Sequence, residues 1–341
     1  MLFLKSKRVL GALFAGALSG LLSTTVLAQA TGDGADAVRN ALGKQEGDVD
    51  QSDLLKETLT SRDKQYSMLR KGKFAATYDL NYSYIGQQSI DAQFDEESSQ
   101  LTLFKIENTR SHTFTNTLSA DYGLLDNLTG TASVSLVSRY AESTSFTGMS
   151  HSIGDMTLGA RWQPFELKRD QPTITASGTV RLPTGRSPYR TDATKSLATG
   201  SGVTAFTGGL NISKVIDPVA LFGNANFTYS LEASHLGQER GGRTLVSVKP
   251  GPSFGYGMGF AYSLSYDISV NFALQHSISW PSTLRFDGGY KFKTTLQNAA
   301  VMNYGMGVRL SPQTSVNVTL GVGMTSDSPD FSLGVNMPLN F

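Results

Sequence analysis

The chain reads as an all-β protein: a transmembrane antiparallel β-barrel of about 12 strands, preceded by a short N-terminal helix expected to plug the lumen. Three observations predict this. First, the final residues alternate without a break, with Phe331, Leu333, Val335, Met337, Leu339 and Phe341 apolar and small or polar residues between them. A period of two belongs to a strand with one apolar face, which the closing strand of a barrel turns to lipid while the other face looks into a polar lumen. Second, Met1 to about Ala30 has a basic start (Lys5, Lys7, Arg8), an apolar stretch and a small-residue exit at Ala28-Gln29-Ala30, the pattern of a secretory signal peptide. Third, connections between period-two runs alternate between tight turns and longer stretches, the asymmetry of barrels with short periplasmic turns and long outer loops. Localisation in a bacterial outer membrane with both termini periplasmic follows.

Taken in order, residues 1–30 are expected to be a signal peptide and 31–50, rich in Gly, Asp and Ala without periodicity, a flexible periplasmic lead. Residues 51–72 change pattern. Leu55, Leu59, Tyr66 and Leu69 recur at helical spacing, Glu57 and Asp63 interrupt them, and basic residues crowd the end before Gly72, a C-cap signal. A helix of that length would be roughly 25 to 30 Å long, close to the height of a barrel wall.

The barrel is expected over 73–341. Lipid-side residues mark its strands: Ala76, Tyr78, Leu80 and Tyr82; Phe114, Leu118 and Tyr122; Leu128, Val134, Leu136 and Tyr140; Met156, Leu158 and Trp162; Ile174, Val180 and Leu182; Phe206, Leu210 and Ile212. Leu221, Phe227 and Tyr229 continue the series, then Phe254, Tyr256 and Met258, then Ile268, Val270 and Phe272, then Tyr304, Met306 and Val308, then Val316, Val318 and Leu320 before the closing strand. Longer outer stretches are expected near 87–110, 142–151, 183–200, 232–243 and 280–298.

Parity assigns the lumen. Asp79, Asp121, Arg139, Arg161 and Arg181 fall on the inward positions of the early strands, whereas the late strands place Gly255, Gly257, Gly259, Gly305 and Gly307 there. One half of the interior is therefore expected to be polar and the other smooth. The smooth wall would seat the helix, with Glu57 or Asp63 facing the arginines; equally, inward glycines permit bending of a curved sheet.

Composition limits the partners. Lys+Arg 29 against Asp+Glu 28 gives a net charge of +1, which argues against nucleic acid. With Cys 0 there are no disulfides or thiolate metal sites. No cofactor or metal is expected, and the partners implied by the compartment are outer-membrane lipid, lipopolysaccharide and the barrel assembly machinery.

Particular words carry a resemblance. YSMLRKGK before the first strand, ADYGLLDNLT and RWQPFELKRDQPT across the first two tight turns, SKVIDPVALFG across the third, and GMGFAYSLSYDIS and SDSPDFSLG later closely resemble the outer-membrane secretion channel of the Fap functional-amyloid system. The match runs from about Leu54 to Phe341. SIGDMTLGARW, RLPTG and LATGSG resemble the wider outer-membrane family associated with the meta pathway of phenol degradation. The resemblance implies a homotrimeric twelve-stranded channel that passes unfolded amyloid-type subunits to the cell surface, gated by an N-terminal helix. Uptake of small hydrophobic or aromatic compounds is the alternative that the wider family suggests. Only about twenty residues separate Thr31 from the helix, where that family carries a long coiled-coil extension.

No enzyme is expected. His151 and His235 fall in outer loops, while His112 and His276 share parity with lipid-side residues. His276 and Ser277 cannot form a dyad, since adjacent side chains on a strand point to opposite faces. GYGMGF from Gly255 lies inside an alternating strand with no helix to receive a phosphate, and the acidic run at Asp91, Asp95, Glu96 and Glu97 reads as a solvated loop.

Overall fold

The computed structural model describes residues 68–341 except 95–100, 143–146, 166–170, 192–195, 217–218, 241–242, 266, 312–313 and 340–341. The expected signal peptide, lead and most of the plug segment (Leu55, Glu57, Leu59, Asp63 and Tyr66), as well as Phe341, lie outside these residues.

Twelve strands close into a cylinder. They are β1 (Phe74–Phe94), β2 (Leu101–Leu125), β3 (Leu128–Glu142), β4 in two segments (Thr147–Ile153 and Met156–Trp162), β5 (Thr173–Leu182) and β6 (Ala205–Ile216). The second half comprises β7 (Val219–Ser230), β8 (Ser253–Ser263), β9 (Ile268–Ser279), β10 (Gln297–Ser311), β11 (Thr314–Gly323) and β12 (Phe331–Leu339). Each strand pairs antiparallel with its sequence neighbours, and β12 closes on β1 with Tyr84 opposite Phe331 and Ala76 opposite Leu339. Closure leaves no sheet edge along the ring's seam, as hydrocarbon surroundings demand, because lipid offers backbone amides no partner.

Alternation sorts the two faces. Leu118, Tyr122, Leu136, Leu158, Leu210, Met258 and Tyr304 are exposed large hydrophobics, while Thr115, Ser119, Thr129, Asn211, Gln275 and Asn303 on the opposite parity are buried. An apolar outside and a polar inside is the reverse of a soluble fold. Rings gather on the outer surface of β1, β2, β3 and β12: Tyr82 lies 4.7 Å from Phe114 and His112 lies 5.0 Å from Tyr84 between ring centroids, a belt suited to a membrane–water interface.

The longer stretches are more ordered than the residue pattern suggests. The region expected as a loop near 87–110 is a continuation of the β1–β2 ladder, paired from Gln87 opposite Thr109 to Phe94 opposite Leu101. Ile90, Ala92 and Phe94 continue the even parity of Tyr82 and Tyr84, but the polar Gly86-Gln87-Gln88-Ser89 interrupts the apolar run before them, so the period-two pattern lapses where the strand continues. Residues 147–151, also expected in a loop, belong to the Thr147–Ile153 segment of β4 that pairs with β3. The stretches near 232–243 and 280–298 meet in a four-stranded cap sheet, ordered Lys291–Lys293, Thr283–Phe286, Arg243–Lys249, Gln238–Arg240. Its inner face buries Leu245, Val248 and Leu284 with Leu236 and with Tyr189 and Val203 of the β5–β6 connection. This small core is non-local: each loop supplies two or three apolar residues, too few to show a period.

Candidate functional site

The lumen is the site to which these strands contribute. A cavity of about 230 Å³ opens along β2 to β7, lined by Thr115, Ser119, Thr131, Ser177, Thr207 and Asn211 together with Asp155, Arg161 and Arg181. Short hydroxyl and amide side chains give such a wall many hydrogen-bonding groups and little apolar grip. Nearer the outer mouth, beneath the cap sheet, a second cavity of about 30 Å³ touches Arg181, Tyr189 and Trp280. It has room for roughly one water, so the cap fits closely over this part of the wall.

The sequence-predicted lumen residues fall as follows. Arg161 lies 3.4 Å from the carboxylate of Asp121, both nearly buried. Asp79 accepts a hydrogen bond from the Asn336 amide at 2.7 Å across the β1–β12 pairing, and Arg139 Nε donates to Thr113 at 3.3 Å. Gly255, Gly257, Gly305 and Gly307 lie on buried positions of β8 and β10. They do not form a bare wall. Neighbouring amides lie over them: a Cβ added at Gly255 would come within 2.6 Å of Asn226, at Gly257 within 3.2 Å of Asn224 and Gln275, at Gly305 within 2.4 Å of Asn271 and at Gly307 within 2.6 Å of Asn317. A Cβ added at Gly259 would come within 2.6 Å of the Phe222 ring. The smooth half expected from parity is thus surfaced by side chains of adjacent strands, because each glycine has an amide as its direct cross-strand partner: Asn226 opposite Gly255, Asn224 and Gln275 opposite Gly257, Asn271 opposite Gly305 and Asn317 opposite Gly307.

At the end of the barrel that carries the tight turns, the chain enters from the lumen side. Leu69 donates its N–H to the hydroxyl of Thr129 at 3.3 Å, and the Met68 sulfur lies 4.0 Å from the same hydroxyl, which is fully buried on inward parity. Gly72 and Gly123 exchange backbone bonds through Gly72 N–H to Gly123 O at 2.8 Å and Gly123 N–H to Lys73 O at 2.9 Å. Gly123 is required here. A Cβ on it would sit 2.2 Å from the Arg70 carbonyl oxygen.

At the opposite end, beneath the cap sheet, three sequence words converge on Asp155. The β4 ladder breaks at Gly154-Asp155, and the Asp155 carboxylate accepts Gly185 N–H at 3.1 Å with one oxygen and Ser201 N–H at 2.7 Å with the other. Thr184 bridges the break, donating to Gly154 O at 2.8 Å and accepting Met156 N–H at 3.0 Å, and Thr199 donates to Ile153 O at 3.2 Å. Gly185 and Gly200 touch, since a Cβ on either would lie 2.8 Å from the other's backbone. Residue-by-residue reading did not single out Asp155, Thr184, Thr199 or Ser201; the signal was present in SIGD, RLPTG and LATGSG, whose small residues are needed where backbones meet.

Above the break, the Thr147–Ile153 segment pairs with β3 alone, whereas Met156–Trp162 pairs with both β3 and β5. The wall between this segment and the β5–β6 connection is closed by side chains, with Arg186 donating to Ser150 at 3.2 Å and Thr199 to Ile153 O.

The histidines form no catalytic set. His112 shares a hydrogen bond with the Tyr82 hydroxyl at 2.9 Å, and His276 with Asn298. His151, expected in a loop, stands on β4 opposite Ser138, with Nδ1 2.7 Å from that hydroxyl. No described hydrogen bond orients the other ring nitrogen, and an activated serine needs its base oriented by a third group. Among the described residues no cluster of three or more metal-ligating side chains is found.

A closed antiparallel ladder, apolar outside and hydroxyl-lined inside, defines the class: an outer-membrane β-barrel. Comparison with solved structures agrees on the fold. The chain is similar to an outer membrane channel from Pseudomonas putida, at 18% identity and a TM-score of 0.60 over 81% of this chain and 98% of that one. It is also similar to the translocator domain of the autotransporter NalP from Neisseria meningitidis, at 11% identity and a TM-score of 0.50 over 89% of this chain and 99% of that one. No protein-family profile matches the chain.

Proposed function

We propose that this barrel is an outer-membrane channel whose lumen passes an extended polypeptide of the functional-amyloid type to the cell surface, gated by its own N-terminal segment. The observation that carries this reading is a hydroxyl- and amide-lined lumen whose periplasmic mouth is entered on the inner side by Met68 and Leu69. A moving unfolded chain needs exchangeable hydrogen bonds and no apolar surface that would hold it, and Ser, Thr and Asn provide that. The gate is the segment about 51–72, with Leu55, Leu59, Tyr66 and Leu69 on its apolar side and Glu57 or Asp63 toward Arg161 and Arg181. Deleting residues 50–70 should raise single-channel conductance in a planar bilayer; unchanged conductance removes the gate. Secretion of a candidate subunit by strains with and without the channel tests the cargo, and equal surface fibre in both rejects export.

A second reading, uptake of small hydrophobic or aromatic compounds, is favoured by one feature, the break in the β4–β5 ladder beside Thr147–Ile153, where side-chain contacts such as Arg186–Ser150 stand in for backbone pairing and would have to part. An apolar solute leaving the lumen there would reach lipid without crossing the polar outlet. Faster accumulation of a labelled monoaromatic compound in cells carrying the channel, with no effect on fibre, selects uptake over export.

A further inference from the structure

The cap sheet has two unlike faces. Its inner face is the small apolar core, on which Val248, Leu284 and Phe292 stand opposite one another in register. Alternate residues form the other face in two cross-strand rows: Lys249, Thr283 and Lys293 in the lower, and Ser247, Arg285 and Lys291 in the upper. All four cations are exposed.

Like charges placed directly opposite one another on a sheet are destabilising, yet Arg285 faces Lys291 across one pairing. Glu232 relieves only Arg285, at 3.4 Å, and also accepts the Ser247 hydroxyl at 2.7 Å. No ion pair joins Lys249, Lys291 or Lys293 to a carboxylate of the described residues. The surrounding loops do not compensate: over 231–252 and 280–296 the cations Arg240, Arg243, Lys249, Arg285, Lys291 and Lys293 face only Glu232, Glu239 and Asp287. Lysine on an edge strand discourages sheet extension, which accounts for Lys291 and Lys293. It does not account for Lys249 and Arg285, which stand on the two inner strands.

Register sets the height of this face. The last barrel rung is Ser253–Ser279–Gln297, and Lys249, Thr283 and Lys293 each lie four residues beyond it, which at strand rise is on the order of 10 Å. Trp280, 43% exposed, lies between this face and the last barrel rung. The inner face packs on Tyr189 and Val203 of the connection that reaches back to the lumen-lining Asp155, so the basic face looks away from the barrel axis and over the surrounding leaflet.

We propose that this face is a binding site for the phosphate groups of lipopolysaccharide, with Lys249 and Lys293, about 10 Å apart across two strand spacings, taking the nearer phosphate and Arg285 and Lys291 a second. Bidentate contact from a guanidinium and point-charge contact from ammonium groups are both suited to phosphate. The bound anions remove the like-charge cost of the Arg285–Lys291 pairing and tether the cap to the leaflet.

The test uses the full chain in detergent. Binding of purified lipopolysaccharide is measured by native mass spectrometry and by titration for the wild type, for the quadruple variant Lys249→Gln/Arg285→Gln/Lys291→Gln/Lys293→Gln and for Lys293→Glu. Dephosphorylated lipopolysaccharide and inorganic phosphate serve as comparison ligands. The site predicts at least tenfold weaker binding in the quadruple variant and severalfold weaker binding in Lys293→Glu, a similar loss with the dephosphorylated lipid, and no competition by millimolar inorganic phosphate. Heat-modifiable gel migration verifies folding, and Lys293→Glu decides the matter if the quadruple variant does not fold. Equal affinity in Lys293→Glu and wild type, or equal affinity for the dephosphorylated lipid, overturns the proposal; displacement by inorganic phosphate alone reassigns the face to free anions and overturns it as well.

Discussion

Asp155 and Ser201 are joined twice, the Ser201 backbone N–H reaching Oδ2 of Asp155 at 2.7 Å and the Ser201 hydroxyl reaching the same oxygen at 2.5 Å. Ser201 is 1% exposed, and its hydroxyl oxygen also lies 3.1 Å from the Val203 carbonyl oxygen. The carboxylate therefore pins the β5–β6 connection to the wall where the β4 ladder is interrupted, and Val203 continues from there into the core of the cap.

Replacing Asp155 by Ala removes charge-assisted bonds to Gly185 and Ser201, each worth about 1.5–3 kcal/mol. The connection should become protease-sensitive within 183–204, and channel noise in planar bilayers should increase, while the barrel keeps its heat-modifiable migration. Asp155→Asn keeps one acceptor oxygen and should fall between Ala and the wild type.

The mouth beside residues 68–73 offers a sharper steric test. Gly123→Ala forces a methyl to within 2.2 Å of the Arg70 carbonyl, whereas Gly178→Ala meets nothing within 4 Å. Gly123→Ala should free residues 68–73 from the rim, seen as new proteolytic cleavage there and as higher conductance. Gly178→Ala should behave as wild type in both assays.

Face parity can be read from one pair of neighbours. Leu158, 46% exposed, is on the outer surface, and Thr157 lines the cavity. Leu158→Arg should cost about 2–4 kcal/mol of folding free energy in bilayers, as charge on a lipid face does. Thr157→Arg should leave stability nearly unchanged and lower the conductance; equal destabilisation by both variants would contradict the assigned faces.

The cap should yield without the barrel. Leu245 is 0% exposed at the centre of the cap core, so Leu245→Ala should cost about 2–5 kcal/mol, paid locally. Cleavage within 232–249 and 283–293 is expected to rise at temperatures where the barrel still runs as a folded species on unboiled gels.

By itself the sequence determined which residues meet lipid and how many strands cross it, because a period of two is local and survives in any closed antiparallel ladder. Phe331 and Leu333 are exposed on the closing strand, while Val335, Met337 and Leu339 are half-buried on the same parity. Pairing of distant loops was illegible, since neither Leu245 with Leu284 nor Tyr189 with Val203 shares a repeat with its partner. The glycines show the same limit. Parity placed Gly255 and Gly305 inward, but only the tertiary structure decided, through cross-strand register, that Asn226 and Asn271 lie over them and, through the meeting of separate loops, that Asp155 gathers Gly185 and Ser201. Contacts of that kind depend on which residues the pairing register sets opposite one another and on where distant connections meet, and no single segment carries that information.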